Sequence, residues 1–149
     1  TAGVDLYFRD SDYIGHRETS IGSDGGKIIA YCWHNVPGLQ KFGSYYSNNS
    51  TDGPYVELGF RPALLWVKEH GASGQSWHII DKERDVINPV YRYLYTNGGD
   101  AEGGSASPTG VDFLSNGFKI RNDTYGETNV GDYIYLCFAD QPHKFSNAR

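Results

Sequence analysis

No methionine occurs among the 149 residues, and cysteine occurs only twice. Without an initiator residue Thr1 is not the expected start of translation, and the chain reads as a processed product, an excised fragment or part of something longer. Two thiols are too few for a disulfide scaffold or a four-cysteine zinc site. Cys32 and Cys137 each lie in an apolar aromatic run, IIAYCWH and YIYLCFAD, where both are expected to be buried as small hydrophobes. Charge is thin as well: 21% of residues carry one, the formal net charge is −5, and Lys and Arg form no cluster. This pattern excludes nucleic acid and anionic membrane surfaces as partners. No apolar run approaches the roughly 20 residues of a spanning helix, so membrane insertion is not expected. Leu, Ile, Val and Phe are scarce too, at about one residue in five, close to the level at which disorder is the default. The aromatic fraction of 15% restores the case for a core.

What the chain has in quantity is glycine and tyrosine, 19 and 12 residues. Glycine weakens helices and tyrosine suits a half-buried pleat, so short strands joined by turns are expected and long helical bundles are excluded. Turn signals recur about every ten residues, the spacing of an all-β sandwich or barrel. In VDFLSNGFKIRN (111–122), alternating flanks and the Asn116–Gly117 pair predict a hairpin whose turn uses positive φ angles. ALLWVKEH (63–70) and SWHIIDKE (76–83) form a second predicted pair. The stretches 4–10, 26–34, 54–60, 90–96 and 132–139 bring the expectation to about nine strands, arranged as an antiparallel, jelly-roll-like β-sandwich. Residues 22–26, 47–53 and 97–110 read as loops.

IIAYCWHNVPGLQKF (28–42) and YIYLCFADQPHKF (133–145) echo one another, aligning Cys32 with Cys137 and Pro37 with Pro142. The separation is too long for a solenoid period and suits the closing strand of one unit seen twice. Residues 1–37 are then the tail of a preceding unit or the first strands of the domain, and 38–149 a complete β-sandwich.

Chemistry-bearing groups are sparse. Asp81, Glu83 and Asp85 alternate with Lys82 and Arg84, and paired carboxylates are what glycoside cleavage requires. Such alternation at a strand end is more commonly a solvated, self-neutralising rim. His34 stands opposite Ala139 in the echo, and a lone histidine makes no nucleophilic system. His70 and His78 flank the 71–75 link but lack a third metal ligand, and Asp10 and Asp12 begin a calcium-loop spacing that nothing completes. Gly103, Gly104 and Ser105 belong to an irregular run and not to a strand-to-helix phosphate turn. No cofactor, metal or catalytic residue is expected.

Binding has more support. Tyr91, Tyr93 and Tyr95 fall two apart, so on a strand they form one aromatic stripe, buried in a core or interface or offered as a sugar platform. In the loop 44–53, Tyr45 and Tyr46 offer flat faces beside the polar groups of Asn48 and Asn49, a mixture that suits adaptable recognition. Asp100 and Glu102, in the long loop 97–110, are further candidate receptor contacts.

The ordered phrases KFGSY, STDGP, GFRPA, FLSNGFK and the terminal NAR resemble a domain that recurs, commonly at the carboxy terminus, in tail-fibre and related virion proteins of bacteriophages, including phages of marine bacteria. The resemblance covers roughly residues 28–149. It implies a β-rich virion-surface module, assembled as a homotrimer, that adheres to a host cell-surface glycan or protein and carries no established catalytic residues. Tyr46, Asn49 and His143 depart from the usual residues of that family, which points to a different surface specificity. Two rival expectations stand beside it: a head-decoration or fibre-assembly module that holds other virion proteins, and, more remotely, a capsule-degrading enzyme.

Overall fold

A computed structural model describes residues 6–10, 13–16, 32–104, 110–121 and 128–140. Among these the regular elements are all strands: β1 (Leu6–Asp10), β2 (Tyr13–His16), β3 (Gln40–Tyr46), β4 (Tyr55–Glu57), β5 (Pro62–Glu69), β6 (Trp77–Asp81), β7 (Leu94–Tyr95), β8 (Val111–Leu114), β9 (Gly117–Ile120) and β10 (Asp132–Ala139). The chain divides into two compact units, Thr1–Cys32 and Trp33–Arg149. In the first, β1 and β2 form an antiparallel pair with an irregularity between Phe8 and Asp10.

Among the described residues the second unit is an all-antiparallel sandwich of eight strands. Five form a sheet in the order β3-β10-β5-β6-β7 and three form a sheet in the order β4-β9-β8. Alternation along β5 shows why: Leu65, Val67 and Glu69 turn inward, while Leu64, Trp66 and Lys68 lie on the opposite face. The core is filled from one side by Leu65, Val67, Ile80, Tyr133 and Cys137 and from the other by Val111, Phe118 and Ile120, all fully buried. Each such side chain contributes about 1.5–3 kcal/mol of transfer free energy. Aromatic rings tie the layers together. Tyr45 stacks on Tyr133 at 5.0 Å and 8°, and Phe118 meets Tyr45 and Tyr135 edge-on at 5.8 and 5.4 Å.

The five-stranded sheet is also apolar on its outer side, where Phe42, Leu136, Trp66 and Ile79 share one line of cross-strand partners and Trp77 lies 5.2 Å from Trp66. The outer side of the three-stranded sheet is charged instead. Asp112 there accepts from Arg121 Nε at 2.5 Å, and Lys119 reaches Asp52 at 2.7 Å.

Several expectations need correction. Gln40–Tyr46 is a strand, so Tyr45 and Tyr46 are not loop residues. The sequence hides this strand because Gly43 and Ser44 interrupt its apolar pattern, and its pairing to β10 supplies what propensity does not. VYRYLYT contributes only Leu94–Tyr95 as a strand, with isolated bridges at Val90 and Tyr93. Of the predicted strand 26–34, residues 26–31 lie outside the described residues, and Cys32–His34 are not in a strand. Cys32 is exposed whereas Cys137 is buried, so the two aligned thiols occupy unlike environments. Pro142, Lys144 and Phe145, the later part of that echo, also lie outside the described residues.

The hairpin β8–β9 is present, but its turn residues are Ser115 and Asn116, closed by the Leu114–Gly117 pair, and neither has a positive φ. Gly117 serves another purpose: the Val56 carbonyl of β4 occupies the space a Cβ would need. Gly103 is likewise more than an irregular residue. It exchanges both backbone hydrogen bonds with Tyr93, whose ring fills its Cβ position.

Candidate functional site

The connection from β3 to β4 is a heavily braced polar loop. Neighbouring strand positions point to opposite faces, so Tyr45 turns into the core and Tyr46 turns out. Tyr45 is 6% exposed and its hydroxyl donates to the Thr128 carbonyl at 2.7 Å. Burial, with smaller contributions from Tyr133 and Cys137, pushes that hydroxyl well above the ordinary tyrosine value. Tyr45 is therefore a core residue and not a receptor contact, which corrects the sequence reading. Tyr46 is 75% exposed.

Beyond Tyr46, a second segment grips the loop. The Ser47 amide donates to the Gly131 carbonyl at 3.0 Å, and the Gly131 amide donates back to Ser47 Oγ at 2.8 Å. Asn129, fully buried, then works as a central pin. Its Oδ1 accepts from the Asn48 amide at 3.1 Å, and its Nδ2 donates to Asn48 Oδ1 at 3.1 Å and to the Ser50 carbonyl at 2.7 Å. Asn48 Nδ2 closes the loop on the Asp52 carbonyl at 2.9 Å. Asn49 sits at φ 51°, a left-handed conformation that asparagine tolerates better than most residues. The hydrogen bond from Lys119 holds the exposed Asp52 carboxyl below its ordinary value, with Lys119 and Arg121 charge adding to the effect. That contribution is present above the ordinary carboxylate range and is lost as pH falls through the lowered value.

Tyr46 at the end of β3 is thus exposed, as are Asn49 and Thr51 in the loop that follows, while the Asn48 amide is spent inside that loop. Asn129 escapes detection in the sequence because it acts 81 residues away from Asn48, and no local motif marks it.

Asp100 and Glu102 are exposed but belong elsewhere. They follow β7, whereas Tyr46 ends β3, and these are opposite edges of the same sheet, about 19 Å apart across four strand spacings. The two groups do not form one site. Glu102 is moreover occupied, accepting from Arg84 Nη1 and lying 3.5 Å from Arg92 Nη1. The tyrosine stripe is also divided. Tyr93 and Tyr95 meet at 5.0 Å with their hydroxyls 3.2 Å apart, and both pack on the buried His78 at 5.1 and 4.9 Å. Tyr91 precedes the strand, its amide held by Asp85 at 2.8 Å. His70 faces solvent while His78 lies in this aromatic cluster, so the pair does not converge on a cation.

The carboxylates weighed for glycoside cleavage have structural partners. Asp81 Oδ1 accepts from the Glu83 and Arg84 amides, both at 3.0 Å, and its Oδ2 accepts from Arg84 Nε at 2.7 Å. Asp85 Oδ2 accepts from the Tyr91 and Arg92 amides at 2.8 and 2.9 Å. Asn88 adds a double hydrogen bond to the backbone of Phe113, 3.0 Å in each direction. These side chains shape the β6–β7 connection.

The chain matches the model of a domain of unknown function (DUF7483) over residues 10–142. No curated protein and no solved structure matches it.

Proposed function

We propose that this chain, which belongs to the DUF7483 family of unknown function, is a non-enzymatic recognition domain: the host-surface adhesion module of a bacteriophage tail fibre, working as one of three identical copies in the virion. The observation that carries the recognition role is the β3–β4 loop, pinned by Asn129 while Tyr46 stays 75% exposed. A loop ordered before contact avoids the entropy of being ordered by it, and a tyrosine ring gives a broad contact with few rotatable bonds. The tail-fibre setting and the trimer come from the resemblance of KFGSY, STDGP, GFRPA and FLSNGFK. Threefold display multiplies a weak contact through effective concentration. Binding is favoured over catalysis because Asp81 and Asp85 already accept backbone amides.

The test is adhesion of the fluorescently labelled chain to a panel of marine bacterial strains, with unlabelled chain as competitor. Competable binding to one or more strains is expected, and Tyr46→Ala is expected to weaken it about tenfold or more, the loss of a central aromatic contact, without lowering the melting temperature. A chain that adheres to no strain yet assembles onto phage particles overturns the adhesion role in favour of a decoration or assembly module.

A further inference from the structure

A cleft of about 190 Å³ opens at the foot of the β6–β7 connection, with Arg61, Lys82, Glu83 and Asp85 around it and Val90 and Phe113 beneath. We propose that this cleft is a binding site for a single neutral pyranose ring, the terminal sugar of a cell-surface glycan. The assignment rests on the adhesion reading and adds a second contact to it, away from Tyr46.

Size is the first argument. The cleft lies below the roughly 300 Å³ at which sites for drug-sized ligands begin, so it admits one ring and not an oligosaccharide. Charge is the second. Two cationic and two anionic side chains line it and cancel, and the Lys82 ammonium is already engaged by Asp140 and by Glu83. A phosphate or carboxylate ligand therefore meets no net attraction, whereas vicinal hydroxyls, each both donor and acceptor, can use guanidinium and carboxylate together. The groups needed are available. The Arg61 side chain is 55% exposed, and its nearest carboxylate oxygen, on Asp140, is 3.8 Å from Nε, beyond hydrogen-bond reach. Asp85 Oδ1 lies 3.5 Å from Arg92 Nε, while its other oxygen holds the loop.

The third argument is rigidity combined with an apolar lip. Asp81 and Asp85 fix the backbone of residues 83, 84, 91 and 92, and the Asn88 side chain is tied to the backbone of Phe113. That fixed loop nevertheless holds Val86 and Ile87 out in water at 93% and 78% exposure. Exposed aliphatic side chains on a braced loop beside polar groups match the mixed surface of a pyranose, whose C–H face is apolar and whose rim is hydroxylated.

The experiment is a titration of the ¹⁵N-labelled full chain with the methyl glycosides of galactose, glucose, mannose and N-acetylglucosamine, and separately with glucuronate. At least one neutral glycoside is expected to shift the amide signals of Val86 and Val90 and the side-chain amide of Asn88. Arg61→Ala is expected to weaken that binding about tenfold, with the signals of the β3–β4 loop unmoved. No shift with any neutral glycoside overturns the proposal, as does a response to glucuronate alone, or unchanged affinity in Arg61→Ala. Cell adhesion that persists in Arg61→Ala and is lost in Tyr46→Ala sinks this site and leaves the adhesion reading standing. Sugar binding in the cleft by a chain that adheres to no cell does the reverse.

Discussion

Tyr45 and Tyr46 are consecutive and chemically alike, yet one closes the core and the other meets solvent, because a strand sends neighbours to opposite faces. The same logic of position separates the two cysteines. Cys137 is fully buried on β10 and its thiol is pushed well up by burial, while Cys32 is exposed. Thiolate is the reactive form, so burial removes both access and reactivity. Under native conditions at pH 8, Cys32 is expected to react with a disulfide reagent such as DTNB within minutes and Cys137 only after denaturation, giving one titratable thiol before unfolding and two after. Rapid release of two equivalents from the native chain contradicts the burial of Cys137. Identical environments were the natural reading of IIAYCWH and YIYLCFAD. Similar local sequence does not fix burial when pairing partners lie far along the chain.

At the level of elements, the two braced connections illustrate what a sequence shows and what it conceals. The hairpin of β8 and β9, the paired strands β5 and β6, and β10 were legible, since their apolar residues recur with period two or in a short continuous run. β3 was not, because Gly43 and Ser44 carry no β signal and its place depends on β10. The candidate site was half legible: Tyr46 and Asn49 stand out in the sequence and are exposed, but the pin that holds the loop through Asn48 and Ser50, Asn129, comes from a distant segment. Likewise, Asp81 and Asp85 read as members of a solvated, self-neutralising rim in a linear reading and become turn braces once their amide donors are known. Removing the pin tests this account. Asn129→Ala removes the partner of the Asn48 amide and of the Ser50 carbonyl, which lie where water can reach, at about 0.5–1.5 kcal/mol for each hydrogen bond lost. The expected result is a lower midpoint in chemical denaturation together with faster hydrogen exchange at Asn48. An unchanged midpoint and unchanged exchange refute the bracing role.

For the molecule as a whole, the two faces of the five-stranded sheet are both apolar, whereas the outer side of the three-stranded sheet carries paired charges. The apolar side chains on the outer face of the five-stranded sheet, Phe42, Trp66, Trp77, Ile79 and Leu136, are buried or half-buried in the single chain, so the proposed trimer rests on the sequence resemblance alone. Light scattering on a sizing column is expected to give a mass three times 16.6 kDa for the purified chain. A monomer across the micromolar range removes the self-assembling fibre end and leaves an accessory module.

The position of β10 has a consequence for how the protein is made. It lies between β3 and β5, so neither edge of that junction has its neighbour until residues 132–139 exist. Tyr46 waits for Asp132 through most of a hundred residues of synthesis, on the order of 5–20 s. During that interval Tyr45 of β3 and Leu65 and Val67 of β5 lack the strand that lies between them. The five-stranded sheet is thus completed late, and a ribosome that stalls before β10 leaves a polypeptide exposing Tyr45, Leu65 and Val67 to whatever chaperone or protease arrives first.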